Sequence, residues 1–205
     1  MKTLAAFLVV LALAAPARAQ SVSFRPFFVI TGEQMAAKSS FDAIFGHSFE
    51  PFLGGGVSVV LADGIWVDAS ISRFQKTGQR AFDNDGQIFQ LGIPLTVTVT
   101  PIEVSGGYRF KTSPRLWTYV GAGIGSYGYE ESSSDATASD NVNSRHVGYL
   151  VLGGVEGRVQ QWISLAADVQ FTRVSGILGA SGISKDLNEN DLGGIAVRFR
   201  VLVGK

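Results

Sequence analysis

The sequence predicts an all-β chain that closes as an eight-stranded antiparallel up-and-down transmembrane β-barrel. Three observations point there. Apolar and polar residues alternate with period two along most of the chain, the signature of strands. The alternating segments number eight, and the connections between them are by turns short and long. The two faces of these segments differ in kind. One is apolar, and the other holds small residues, carboxylates and arginines with almost no lysine.

The N-terminal stretch stands apart. Lys2 precedes an apolar run from Thr3 to Ala15, and Ala17-Arg18-Ala19 forms a small-x-small cleavage signal. Residues 1–19 read as a secretory signal peptide, with 20–205 as the barrel domain. An anchoring helix is the alternative, but it needs about 20 apolar residues.

The strands are expected at Val22–Thr31, Phe49–Leu61, Ile65–Gln75, within Ile88–Phe110, Leu116–Tyr129, His146–Gln160, Trp162–Val174 and Leu192–Val203. "ADG" at Ala62–Gly64 and "TSPR" at Thr112–Arg115 supply tight turns. The long connections are "TGEQMAAKSSFDAIFG", "KTGQRAFDNDG", "EESSSDATASDNVNSR" and "SGILGASGISKDLNEN". An up-and-down order puts all short turns at one end and all long loops at the other, as in small outer-membrane barrels. Met35–Phe45 suits a short helix that buries Phe41, Ile44 and Phe45 against the rim. Pro94 and Pro101 interrupt the fourth strand. Leu95, Val97 and Val99 share one parity, and Ile102, Val104, Gly106, Tyr108 and Phe110 the other, so a bulge near Pro101 is expected.

Composition excludes several chemistries. There is no cysteine, hence no disulfide scaffold, thiol catalyst or Cys-based zinc site. Formal net charge is zero, and nothing marks a nucleic-acid binder. No metal motif appears, and "GAGIG" lacks the following helix a phosphate loop needs. No cofactor is expected.

Two geometries fit an apolar and a polar face. A soluble lipocalin-like barrel turns the apolar face inward, and a membrane barrel turns it outward. The arginine-carboxylate balance favours the second, because enclosed ion pairs favour the planar, bidentate guanidinium. Arg25, Arg109, Arg158, Arg198 and Arg200 are set against Asp68, Glu103, Glu156 and Asp168 as a lumen ion-pair network. Arg25, Asp68, Glu156, Asp168 and Arg200 lie at similar depth from the short-turn end, which predicts one layer. Val197, Phe199 and Val201 then touch lipid. The eighth strand must pair with the first, since unpaired edges cannot face hydrocarbon. An eight-stranded barrel is wide enough only for side chains, so a plugged lumen follows. Trp66, Trp117 and Trp162 each begin a strand after a short turn. They form either the lumen floor or, with Tyr108 and Phe110, an interfacial girdle. The glycines at Gly121, Gly123 and Gly125 are placed inside, making room for arginines.

The signal peptide, the eight-strand rhythm, "YVGAGIGSYGYE" and "GYLVLGGVEGRVQQWISLAADVQFTRV" resemble the outer-membrane β-barrel domain family, small barrels similar to the transmembrane part of outer membrane protein A. The resemblance covers the whole mature chain. It implies a bacterial outer-membrane location, lipid and lipopolysaccharide as surroundings, and the outer-membrane assembly machinery as partner. Members usually end in an aromatic residue. This chain ends Gly204-Lys205, and Gly194, Val197 and Phe199 retain the G-x-x-Φ-x-Φ portion of the signal.

The leading functional expectation is a non-enzymatic barrel that gives envelope integrity or surface-loop binding. A narrow gated pore is the alternative. A rim-sited lipid-modifying enzyme is third, with Ser144, His146 and Asp140 as its candidate constellation. Acidic Glu130, Glu131, Asp135 and Asp140 could hold divalent cations loosely.

Overall fold

The computed structural model describes residues 22–61, 64–84, 87–133, 141–180 and 182–204. The expected signal peptide, Asp135, Asp140 and most of the "ADG" turn lie outside them. Eight strands form the ring: β1 (Ser23–Met35), β2 (Phe49–Val60), β3 (Ile65–Asn84), β4 (Gln87–Ser113), β5 (Leu116–Ser132), β6 (Val142–Gln160), β7 (Ile163–Arg173) and β8 (Gly194–Val203). Two short helices, α1 (Lys38–Phe45) and α2 (Gly182–Asp186), lie in the first and last long connections. All neighbours are antiparallel, and β8 pairs with β1 to close the barrel.

The register fixes the barrel's shape. Successive strand partners run from Phe24 through Val59, Val67, Gly106, Ala122, Val151, Phe171 and Ile195, then return to β1 at Gln34, ten residues farther along. A stagger of that size, with rises of about 3.3 Å and strand spacings of about 4.8 Å, tilts the strands about 40° from the axis.

The outer face of the lower barrel is an apolar band. Phe28, Ile71, Val104, Val120, Val151, Val169 and Phe199 all point out and are exposed. Their in-strand neighbours point in, because successive side chains alternate across a strand. Tyr108 and Phe110 stack edge to face on the outside, with centroids 4.8 Å apart, near the short-turn end.

Above this band the pattern inverts. Leu95, Val97 and Val99 on β4 point inward and are buried. They join Phe52, Phe74, Tyr127 and Tyr129 in a core with Phe41 and Ile44 of α1 and with Ile177, Leu178, Ile183 and Leu192 of the last connection. The expected helix is present, and its apolar side seals the barrel mouth. Gly46 ends α1 in a left-handed conformation (φ 79°), and its N–H donates to the Asp42 carbonyl (2.8 Å). Ala37 at the start of α1 offers no side-chain cap. Glu189 supplies one from the other loop: its carboxylate accepts from the Ser39 N–H (2.9 Å), the Ser40 N–H (2.8 Å) and the Ser40 hydroxyl (2.7 Å).

Several expectations are corrected. There is no bulge at Pro101. The β3–β4 register runs unbroken from Ile71↔Ile102 to Phe74↔Val99, and its irregularity lies between Gln79 and Ala81. The parity change along β4 is the inversion of environment, not a slip of the strand. "KTGQRAFDNDG" is strand for most of its length, because β3 and β4 continue as a projecting ribbon. Thr77 and Thr96 hydroxyls bond across it (2.8 Å), and the Phe82 and Phe89 rings stack at 5.5 Å. Polar and aromatic cross-strand pairs hold a two-stranded ribbon without a buried face on each side.

Candidate functional site: a closed, ion-paired lumen

Charged side chains and a tyrosine, drawn from seven strands, meet in the lower lumen. At the bottom, Arg25 of β1 grips Glu156 of β6 with both terminal nitrogens (2.6 and 3.1 Å). Arg109 of β4 reaches the same carboxylate at 3.2 Å. One tier up, Arg200 of β8 donates to Asp68 of β3 (2.6 Å) and to the Tyr119 hydroxyl of β5 (2.8 Å). The Tyr119 hydroxyl donates to Asp168 of β7 (2.7 Å), which also lies 3.1 Å from Arg200. Arg198 joins that tier to the next: its Nε donates to Asp168 (2.6 Å), and its terminal nitrogen is 3.7 Å from Glu103. Tyr127 and Gln170 both donate to Glu103, at 2.7 and 3.0 Å. The Asp168 side chain is 0% exposed.

These contacts span the barrel. Arg25–Glu156 and Arg200–Asp68 each link strands that are not neighbours in the ring. Buried charges are strongly destabilising when one partner is lost and neutral or better when the whole set is replaced by apolar residues. The network's contribution is therefore to fix geometry: each guanidinium is satisfied only when particular strands sit opposite one another. The rings of Phe27 and Tyr119 face Arg200 at 5.3 and 5.2 Å and fill the remaining space.

The structure brings together eight of the nine expected network residues and separates one. Arg158 has no carboxylate partner among the described residues. It lies at the exposed bottom of β6, 5.0 Å above the Trp117 ring, with Arg109 on the same ring at 4.8 Å. Its position beside the floor aromatic, below Glu156, explains this. The expected single layer is a stack of tiers, because the stagger of ten residues spreads equal sequence depths along the axis.

The tryptophans divide. Trp66 is buried inside against Tyr119, edge to face at 5.9 Å, and Trp117 shares the inward parity of the floor. Trp162 sits in the turn before β7 and is exposed. The glycines of β5 do face inward, but Gly121 makes room for an indole rather than an arginine: a Cβ there would lie 2.5 Å from the Trp66 ring.

Two small cavities flank the network. The upper, about 30 Å³, is lined by Glu33, Glu103, Gln170 and Arg198 among others. The lower, about 10 Å³, lies among Arg25, Trp66, Asp68 and Arg200. They share no lining residue, and the apolar lid core lies above both.

Sequence reading missed Glu33, Tyr119, Tyr127 and Gln170 as members of the site. The tyrosines carried a signal, since they share the inward parity of the β5 glycines. Glu33 carried none, because it falls in "TGEQ", which reads as a loop.

At the rim, His47 faces Lys76 (2.7 Å) and Glu50 (3.3 Å). Ser48 is engaged by Gln34 instead (2.7 Å). No hydrogen bond joins Ser144 to His146 among the described residues. No group of three or more His, Cys, Asp or Glu side chains there has metal-binding geometry.

No family model matches the chain, and no curated protein matches it by sequence. Solved structures do match in shape. A major outer membrane protein from Thermus thermophilus aligns with a TM-score of 0.58 at 9% identity, over 90% of this chain and 98% of that one. The attachment invasion locus protein Ail of Yersinia pestis aligns at 0.52 and 9%, over 91% and 98%. Neisserial surface protein A aligns at 0.51 and 12%, also over 91% and 98%. The chain has the fold of the small eight-stranded outer-membrane β-barrels.

Proposed function

We propose that this chain is a non-enzymatic integral protein of the bacterial outer membrane, exported through a cleaved signal peptide. Its lumen is permanently plugged, and it acts through envelope integrity and contacts made by its outer surface. The observation that carries this reading is the double closure of the lumen. Paired charges fill the lower half, and the loops fold their own apolar side chains into the mouth. Among the described residues, the two lumen cavities share no lining residue, which does not favour a passage for solutes.

The surroundings follow from the exposed faces. The apolar band meets lipid, and the assembly machinery reads the β8 pattern Gly194, Val197 and Phe199. Above the membrane the β3–β4 ribbon offers Phe82, Ile88, Phe89 and Leu91, all exposed, as the contact surface. Lipopolysaccharide is the immediate neighbour of that ribbon.

Planar-bilayer recording on the refolded protein tests the plug. The expected result is no steady conductance. Sustained single-channel currents would instead favour a narrow pore gated by rearrangement about Asp168, which lies between the two cavities' linings.

A further inference from the structure

The upper cavity holds a carboxyl group that no arginine of the network pairs with. Four lumen arginines are engaged with four carboxylates. Glu33, which lines the cavity, is a fifth carboxylate and has no ion pair among the described residues. Arg198, the cation in that lining, is committed to Asp168 at 2.6 Å and reaches Glu103 only at 3.7 Å.

The cavity also presents an orphan acceptor. Gln170 is 5% exposed, and its Oε1 is buried without a hydrogen-bond partner. Its orientation is fixed by the other end of the amide. Nε2 donates to Glu103 (3.0 Å) and to the Thr172 hydroxyl (3.0 Å). Turning the amide over would set its oxygen against the Glu103 carboxylate, so the oxygen stays on the far side. A buried amide oxygen left unpaired is costly, and native structures give such atoms a partner. Thr31 and Thr172 add hydroxyl oxygens to the same wall.

We propose that this cavity is a binding site for one small monovalent cation of about sodium's size, held by the Glu33 carboxylate, the Gln170 amide oxygen and neighbouring hydroxyls. Oxygen ligands suit hard cations. The volume of about 30 Å³ admits a single water-sized body. One carboxyl group, ionised when the ion takes its proton's place, matches one positive charge, and the nearby Arg198 opposes a divalent ion. The site needs a closed lumen but no surface partner, and closure is read separately by conductance.

The test is refolding of the full mature protein into a zwitterionic detergent in sodium, lithium, potassium or choline chloride at equal ionic strength. The heat-modifiable unfolding midpoint should be higher in sodium than in choline. It should rise with sodium concentration and then level off, as for any ligand bound only by the folded state. Glu33→Gln, which keeps the shape and removes the charge, should abolish the sodium-choline difference. Broadening of the ²³Na resonance by wild type and its loss in Glu33→Gln give a second readout. Equal midpoints in all four salts for wild type would overturn the proposal. So would a midpoint that follows pH alone, because a proton would then be neutralising Glu33. Steady conductance in the same preparation would mark an open lumen, a failure of the plug rather than of the cation site.

Discussion

The lower and upper halves of this barrel are built from one alternating pattern used in opposite senses. Below, Val197, Phe199 and Val201 face outward while Arg198 and Arg200 are buried within. Above, Val97 and Val99 are buried within, while Thr96 and Thr100 take the outer side. The same strand, β4, does both without a break in register. Alternation therefore reports two faces and not which one is wet. Hydrocarbon outside demands the first arrangement, and water outside demands the second. The lid is built like a small soluble domain, with an apolar core and a polar exterior, on top of a barrel whose polar groups are enclosed.

Four substitutions probe that contrast, from the largest expected effect to the smallest. Asp168→Ala removes the carboxylate shared by Arg198, Arg200 and the Tyr119 hydroxyl. It should cost about 3–5 kcal/mol, as for other broken buried pairs, measured by urea-induced unfolding in lipid vesicles. A cost near zero would mean the network is not a structural unit. Val169→Arg places a charge on the outer band near its middle and should cost about 2–4 kcal/mol in the same assay. Glu189→Ala removes the acceptor at the start of α1 and should cost the lid about 0.5–2 kcal/mol, as loss of a cap does. Hydrogen exchange at the Ser39 and Ser40 amides should speed up, and exchange in β7 and β8 should not. Uniform acceleration would show that lid and barrel unfold together. Gln79→Arg, outward on the ribbon, should stay within about 0.5 kcal/mol. If it matched Val169→Arg, the boundary between the two halves would be drawn too low.

The fold was largely legible because a membrane barrel needs strict alternation, even strand number and sorted loops. The lower ends of the strands fell within about three residues of expectation, since short turns and apolar bands end together there. The upper ends of β1, β3, β5 and β6 were underestimated. Glu33 and Gln34 lie in strand although Gly32 interrupts the apolar rhythm, and the ribbon beyond Lys76 carries few of the aliphatic residues that mark a strand. Leu192 was expected in β8 but belongs to the lid core, outside the strand. The ion-pair members were visible as a set, from their inward parity, and Arg158 was misassigned because parity does not report proximity to the open floor.

Residue order alone determined which side chains share a face and that the polar face is rich in arginine and carboxylate, because successive side chains along a strand must point opposite ways. Only the closed tertiary structure decided that Arg25 meets Glu156 and Arg200 meets Asp68. It also decided that Gln170, whose amide oxygen is left free, lines the same cavity as Glu33 and that two loops share one core. Those contacts depend on the stagger of ten residues around the ring, a quantity accumulated over eight pairings that no single strand encodes.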